Sequence, residues 1–219
     1  MTTSADEQLQ AIFKADRVLH EAIQTFALGG EASARVDAMG KAIEAALQHD
    51  DTDESELRLI RLAELLGDET GPQVVKLLLK VFNHEEPSVR AAAGESLLEL
   101  GYARYAELAR GIEKLIEDGK ATTALSEVPY LLAEIGEPGG VKLCVRLLKH
   151  ADGDVVGAAV EALAMLGDPV AIRDLEKLKN DKRAVHSEEE LEAGEVTVGE
   201  LVKEALEHLR GGARSRVES

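Results

Sequence analysis

Tryptophan is absent, cysteine occurs once, and three Phe and three Tyr are the only aromatics among 219 residues. A lone cysteine cannot close an intrachain disulfide, so packing must hold the fold, and a cytoplasmic location is the expectation. Basic residues are scarce as well: 25 Lys and Arg face 42 Asp and Glu, a formal charge of −17. That balance disfavours nucleic acid and anionic membrane as partners, because neutralising phosphates takes Lys and Arg. Long apolar runs are also missing. The longest uncharged stretch, Ala22 to Gly30, is nine residues, against the roughly 20 that a membrane-crossing helix needs. The opening MTTSADEQ has neither the basic nor the apolar segment of a secretory signal. What is present is a hydrophobic fraction of 45%, too high for a disordered acidic chain and ample for a core. One elongated domain or two small ones fit this length.

Internal repetition decides the fold class. The segments LAELLGD, SLLELGY, LLAEIGE and ALAMLGD end alike, and their glycines Gly67, Gly101, Gly136 and Gly167 are spaced by 34, 35 and 31 residues. One position before each glycine stand Leu66, Leu100, Ile135 and Leu166; four before, Ala63, Leu97, Leu132 and Leu163; eight before, Leu59, Ala93, Val128 and Ala159. These offsets make one stripe of an α-helix. A glycine directly after the stripe reads as a helix-ending residue in the left-handed region. Eight residues after the glycines come Val75, Ala109, Cys144 and Leu175, and eleven after, Leu78, Ile112, Leu147 and Leu178. A second amphipathic helix therefore follows each glycine, and Glu137-Pro138 and Asp168-Pro169 suit the start of two of them. Single helix pairs bury too little apolar surface to stand alone, so they must stack. The expected fold is all-α, an α-solenoid of four to five antiparallel helix pairs with helical end caps, and no strand is evident.

The segments HEEPSVRAAAGESLLELG and ADGDVVGAAVEALAMLGDPVAIRDLEKL resemble HEAT repeats of the short bacterial type, which include bilin-lyase-type repeats. An acidic or proline-bearing lead-in, an Ala/Leu-rich first helix, Leu-Gly-Asp and a second helix carry the likeness. It spans about Asp51 to Asp181 as four units and implies a right-handed superhelix whose second helices line the concave face. In the third unit Pro129 stands seven residues before Gly136; its first helix is expected to start late, capped near Ser126, or to be kinked.

The resulting division is residues 1–48 as an N-terminal helical cap or degenerate repeat, 49–181 as the four repeats, 182–211 as an acidic C-terminal cap helix, and 212–219 as a flexible tail. Ser4 with Glu7 forms a capping-box pattern opening a helix to about Leu28, with Ile12, Phe13, Leu19, Ile23 and Phe26 expected in the core. Val36, Met39, Ile43 and Leu47 mark the next helix, and the acidic run at Asp50 to Glu54 reads as a solvated connector. Ser187 with Glu190, and Thr197 with Glu200, are further capping-box patterns. Thr197 is expected to open a last helix whose Leu201, Ala205, Leu206 and Leu209 face the final repeat.

Catalytic and metal-binding patterns are sparse. Cys144 holds a core offset and reads as a structural thiol rather than a nucleophile. The six histidines form no local metal pair, and CxxC and HExxH do not occur. Asp51-x-Asp53-x-Ser55 begins like a calcium loop but has no glycine at the sixth place, and Leu62 stands where the bidentate Glu belongs. No enzyme, metal or cofactor is therefore expected. Two patterns point to binding instead. Lys80, Lys114 and Lys149 recur thirteen residues after the repeat glycines, and Lys142, Arg146, Arg173 and Lys177 lie on the same second helices. They read as a basic docking face, or as lysines that complement helix C-termini without a ligand. Tyr102 and Tyr105, after Gly101, read either as a binding hot spot or as a cover for the local core.

The leading functional expectation is a non-catalytic scaffold or adaptor that binds another protein on the second-helix face and its turns; the sequence leaves oligomeric state open. The alternatives are an acidic immunity or inhibitor protein that neutralises a basic toxin or nuclease through the C-terminal glutamates, and a bilin-lyase-like enzyme. The last would need a long apolar groove with aromatic anchors, which six aromatics scarcely supply. A HEAT-like DNA glycosylase is disfavoured by the charge.

Overall fold

A computed structural model describes residues 4–120, 122–186 and 196–217, with side chains as far as residue 211. Helices α1 (Ala5–Leu28) and α2 (Ala32–Ala46) are followed by α3 (Thr52–Gly67), α4 (Pro72–Phe82), α5 (Pro87–Asp118), α6 (Thr122–Ile135), α7 (Pro138–Leu147), α8 (Gly153–Leu166), α9 (Ile172–Leu175) and α10 (Val198–Val217). Short 3-10 turns, Pro169–Ala171 and Glu176–Leu178, flank α9, so the second helix of the last repeat is broken into pieces. The chain forms the expected all-α solenoid.

The apolar stripes produce that stack. Leu59, Ala63, Leu66, Ala93, Leu97, Val128, Leu132, Ala159 and Leu163 are buried on the first helices, and Val75, Leu78, Ile112, Cys144, Leu147 and Leu175 on the second. One continuous core runs from Val36 to Leu209. Repeat-length polar links tie neighbouring first helices together: Ser96 donates to the Ala63 carbonyl at 3.0 Å, Tyr102 to the Glu134 carbonyl at 3.5 Å, and Tyr130 to Glu161 at 2.5 Å. α10 closes the stack by packing on α8, burying Val198, Val202, Ala205, Leu206 and Leu209. Thr197 and Glu200 form its capping box, with Thr197 N–H to Glu200 Oε2 at 2.8 Å and Glu200 N–H to Thr197 Oγ1 at 3.4 Å.

Several sequence expectations are corrected. Of the four repeat glycines, only Gly136 and Gly167 have left-handed φ, 71° and 66°. Gly67 is the last residue of α3, and Gly101 lies inside α5. Gly101 answers to packing: a Cβ there would sit 2.3 Å from Ile135 Cδ1. The break between the two halves of α5 falls at Arg104 instead, with φ −148° and ψ 52°. Pro129 does not delay α6, which starts at Thr122, 14 residues before Gly136, as α8 starts 14 before Gly167 at Gly153. Ser126 caps nothing and bonds back to the Thr123 carbonyl at 2.8 Å. The acidic connector is shorter than expected, since Asp51 caps α3, accepting from Glu54 N–H at 3.2 Å, and the residues after it are helical.

A small antiparallel ribbon, unforeseen in the sequence, pairs β1 (Ala184–Val185) with β2 (Val196–Thr197). It lies against the start of α8, where a Cβ on Gly153 would come within 2.0 Å of the Ala184 carbonyl oxygen. Asp154 Oδ1 accepts the His186 N–H at 2.7 Å, and Arg183 donates to the His150 carbonyl. The capping box proposed at Ser187 and the run to Glu195 lie outside the described residues. α10 continues to Val217, through part of the segment expected as a tail.

Candidate functional site

The predicted basic residues sit on the second helices or just after them, and acids stand among them. Lys80 on α4 pairs with Glu44 on α2. Arg146 on α7 reaches Glu113 at 3.7 Å and Glu117 at 3.4 Å on the second half of α5. Lys177 bonds Asp174 at 2.5 Å. These are ladder contacts between or within neighbouring repeats, each contributing little because the pairs are exposed. Lys114, Lys142, Lys149 and Arg173 are exposed, and among the described residues none has an acidic group within ion-pair distance. Lys149 lies in the turn after α7. Of the predicted basic residues, those without an ion-pair partner among the described residues are Lys114, Lys142, Lys149 and Arg173, in the middle and C-terminal repeats.

The two tyrosines part company. Tyr102 is 60% exposed. Tyr105, just past the Arg104 break, packs against the core, where a Cβ on Gly139 would meet its hydroxyl at 2.7 Å. Its hydroxyl is buried without a hydrogen-bond partner among the described residues, and burial pushes its pKa up to about 12. Tyr130, absent from the sequence candidates, is likewise raised by burial and then by its bond to Glu161. Cys144 is fully buried, and loss of solvent pushes its thiol up to about 12. A thiol so held carries almost no thiolate near neutral pH, which fits a packing role.

The largest unforeseen feature is at the N-terminal end. α1 buries no residue at all. Leu9, Ile12, Phe13, Val18 and Leu19 are 49%, 60%, 51%, 59% and 38% exposed, so the core positions expected for Ile12, Phe13 and Leu19 are overturned. Ile23 and Phe26 are half-buried, and Phe26 packs against the main core. The stripe is real, but its members from Leu9 to Leu19 stay exposed.

A polar clamp sets where α1 leaves the stack. Arg35 on α2 donates through Nε and Nη2 to the two carboxylate oxygens of Glu69 at 2.5 and 3.0 Å, and through Nη1 to the Gly30 carbonyl at 3.1 Å. Glu69 is buried at 8% exposure, and its own carbonyl accepts from Arg104 at 3.2 Å. A fork-to-fork pair of this kind fixes direction as well as distance. Gly30, at φ 66°, supplies the bend. The signals available in the sequence were the paired glycines after Leu28 and the acid Asp16 inside an otherwise apolar stripe; Glu69, more than thirty residues away from Arg35, had none.

With that geometry in view, residues 112–192 match the family model described as HEAT repeats, so the HEAT assignment holds for that segment. No curated protein matches the chain. Among solved structures, it is similar to a designed armadillo repeat protein at 16% identity, covering 95% of each chain, with a TM-score of 0.35. It is also similar to a computationally designed armadillo repeat protein for modular peptide recognition at 17% identity, covering 94% of each chain, with a TM-score of 0.33. No helix among the described residues is long and apolar enough to cross a membrane.

Proposed function

We propose that the chain is a non-catalytic interaction scaffold that takes another protein along its second-helix side and the adjoining turns. The observation that carries this reading is the recurrence of exposed Lys80, Lys114 and Lys149 at one register of successive repeats, with no carboxylate within ion-pair distance of Lys114 or Lys149 among the described residues. A stack of repeats turns such a register into a row, and a row of unpaired cations favours an extended partner with acidic groups at a matching interval. Lys142 and Arg173 add further exposed cations, while Arg146, Lys177 and Lys80 are already engaged with acids. Tyr102, exposed at the end of a first helix, offers an aromatic contact on the adjoining turn. The test is capture from native lysate with the wild-type chain and with Lys114→Glu/Lys142→Glu/Lys149→Glu. A partner lost from the variant at unchanged helicity is the expected result; full retention would discard the basic row.

The competing reading, an acidic inhibitor of a basic toxin or nuclease, rests on the outer side of α10, where Glu200, Glu204 and Glu207 are exposed. It is told apart by the residues that matter. Glu204→Lys/Glu207→Lys would abolish capture, and the lysine reversals would not.

A further inference from the structure

The exposed stripe of α1 has the spacing of a helix-pairing surface. Leu9, Ile12, Asp16, Leu19, Ile23 and Phe26 follow one another at intervals of 3, 4, 3, 4 and 3 residues, the alternation by which one helix seats side chains between those of another. Ala11, Ala15, Val18 and Ala22 widen the apolar side. The helix has 24 residues, or about 36 Å of contact length at 1.5 Å per residue. Its base is fixed by Phe26 and by the Arg35 clamp on Gly30 and Glu69, so the stripe is presented in a set direction. Contiguous exposed apolar surface of this extent marks a place of association.

Charge selects the occupant. Asp16 fills one core-type position of the stripe, and α1 as a whole carries Asp6, Glu7, Asp16 and Glu21 against Lys14 and Arg17. A second copy fits poorly. Side by side in parallel, Asp16 would face Asp16. Antiparallel, with Leu9 on Phe26 and Ile12 on Ile23, both Asp16 carboxylates fall in adjacent central layers with no cation between them, on two chains of −17 each. A helix with Lys or Arg at its centre satisfies the carboxylate and is drawn in by the acidic chain. We propose that the exposed apolar side of α1 docks a basic amphipathic helix of a partner protein, with a Lys or Arg of that helix meeting Asp16. This surface is separate from the lysine row.

Two synthetic helical peptides of about 28 residues, long enough to span α1, provide the test against the full chain. One has Leu at its core positions, a single central Arg and Lys at the flanks; its twin has a central Leu and Glu at the flanks. The basic peptide is expected to bind, more weakly as salt rises, and the acidic twin at least about tenfold more weakly, a difference of about 1.4 kcal/mol. Ile12→Asp/Leu19→Asp should abolish binding while leaving the urea midpoint unchanged, since neither side chain is buried. A third peptide, the basic one with its central Arg replaced by Leu, should bind the wild type more weakly than its parent, and Asp16→Leu should remove that difference. The Lys114→Glu/Lys142→Glu/Lys149→Glu variant should bind the peptide normally, so this proposal and the basic row fail independently. Equal binding of the twin, binding that survives Ile12→Asp/Leu19→Asp, or no binding of the basic peptide would overturn the proposal. So would a concentration-dependent dimer dissolved by that double variant, or attachment to phosphatidylcholine vesicles in preference to the peptide.

Discussion

The two terminal helices make an informative pair. α1 and α10 are 24 and 20 residues long, both amphipathic, and both opened by a reciprocal capping box, Ser4 with Glu7 and Thr197 with Glu200. Yet α10 buries five apolar side chains against the last repeat, and α1 buries none. Caps and periodicity therefore account for the helix in each case, but only a facing surface accounts for burial. α8 offers one to α10; the first repeat already has α2, which buries Val36, Met39, Ile43 and Ala46. The N-terminal side of the core is closed before α1 arrives.

The sharpest way to break this contrast is truncation of matched side chains. Leu206→Ala should lower stability by about 2–5 kcal/mol, read from the urea midpoint, whereas Ile12→Ala should stay within about 0.5 kcal/mol. Equal losses would mean that α1 is packed in solution. Next in size is the backbone approach that anchors the C-terminal ribbon. Gly153→Ala forces a Cβ onto the Ala184 carbonyl and should cost about 1–3 kcal/mol. Gly30→Ala, which meets open space but has left-handed φ, should cost closer to 1 kcal/mol.

Smaller again are the caps. Thr197→Ala should remove about 1 kcal/mol from the global midpoint. Ser4→Ala should instead lower helicity by circular dichroism with no change in that midpoint, because α1 can fray without opening the core. The smallest effect at neutral pH comes from Cys144. Its folded thiol titrates at about 12 against an ordinary 9.0, so the unfolded chain ionises first. That contribution to stability is whole below pH 9 and is lost as pH rises toward 12. The urea midpoint of the wild type should therefore fall more steeply over that window than that of Cys144→Ala, and iodoacetamide should leave the native thiol unmodified at pH 8.

How far the sequence foretold this structure depended on the range of the interaction. The helix register was legible because offsets of 1, 4 and 8 before each glycine are local geometry, and Leu59, Leu97, Leu132 and Leu163 are buried as that geometry requires. The glycines were only half legible: a residue lacking Cβ answers equally to a left-handed bend, as at Gly136, and to a close neighbour, as at Gly101 beside Ile135. Pro129 misled because packing of α6 on both sides outweighs one missing helical hydrogen bond. The ribbon at Ala184 has two-residue strands, too short to leave a period. In the candidate site the lysine register was readable, but the acids that engage Lys80 and Arg146 come from the preceding second helices, about a repeat length away in sequence.

Glu69 gives the architecture an unusual mechanical junction. Solenoids pass load between adjacent units through their shared hydrophobic seam. Here a single residue holds Arg35 with its side chain and Arg104 with its backbone, so a torque on the N-terminal arm reaches the elbow of α5 without first travelling through leucines. Whatever pulls on the arm also tugs on the bend that separates the second repeat's helices.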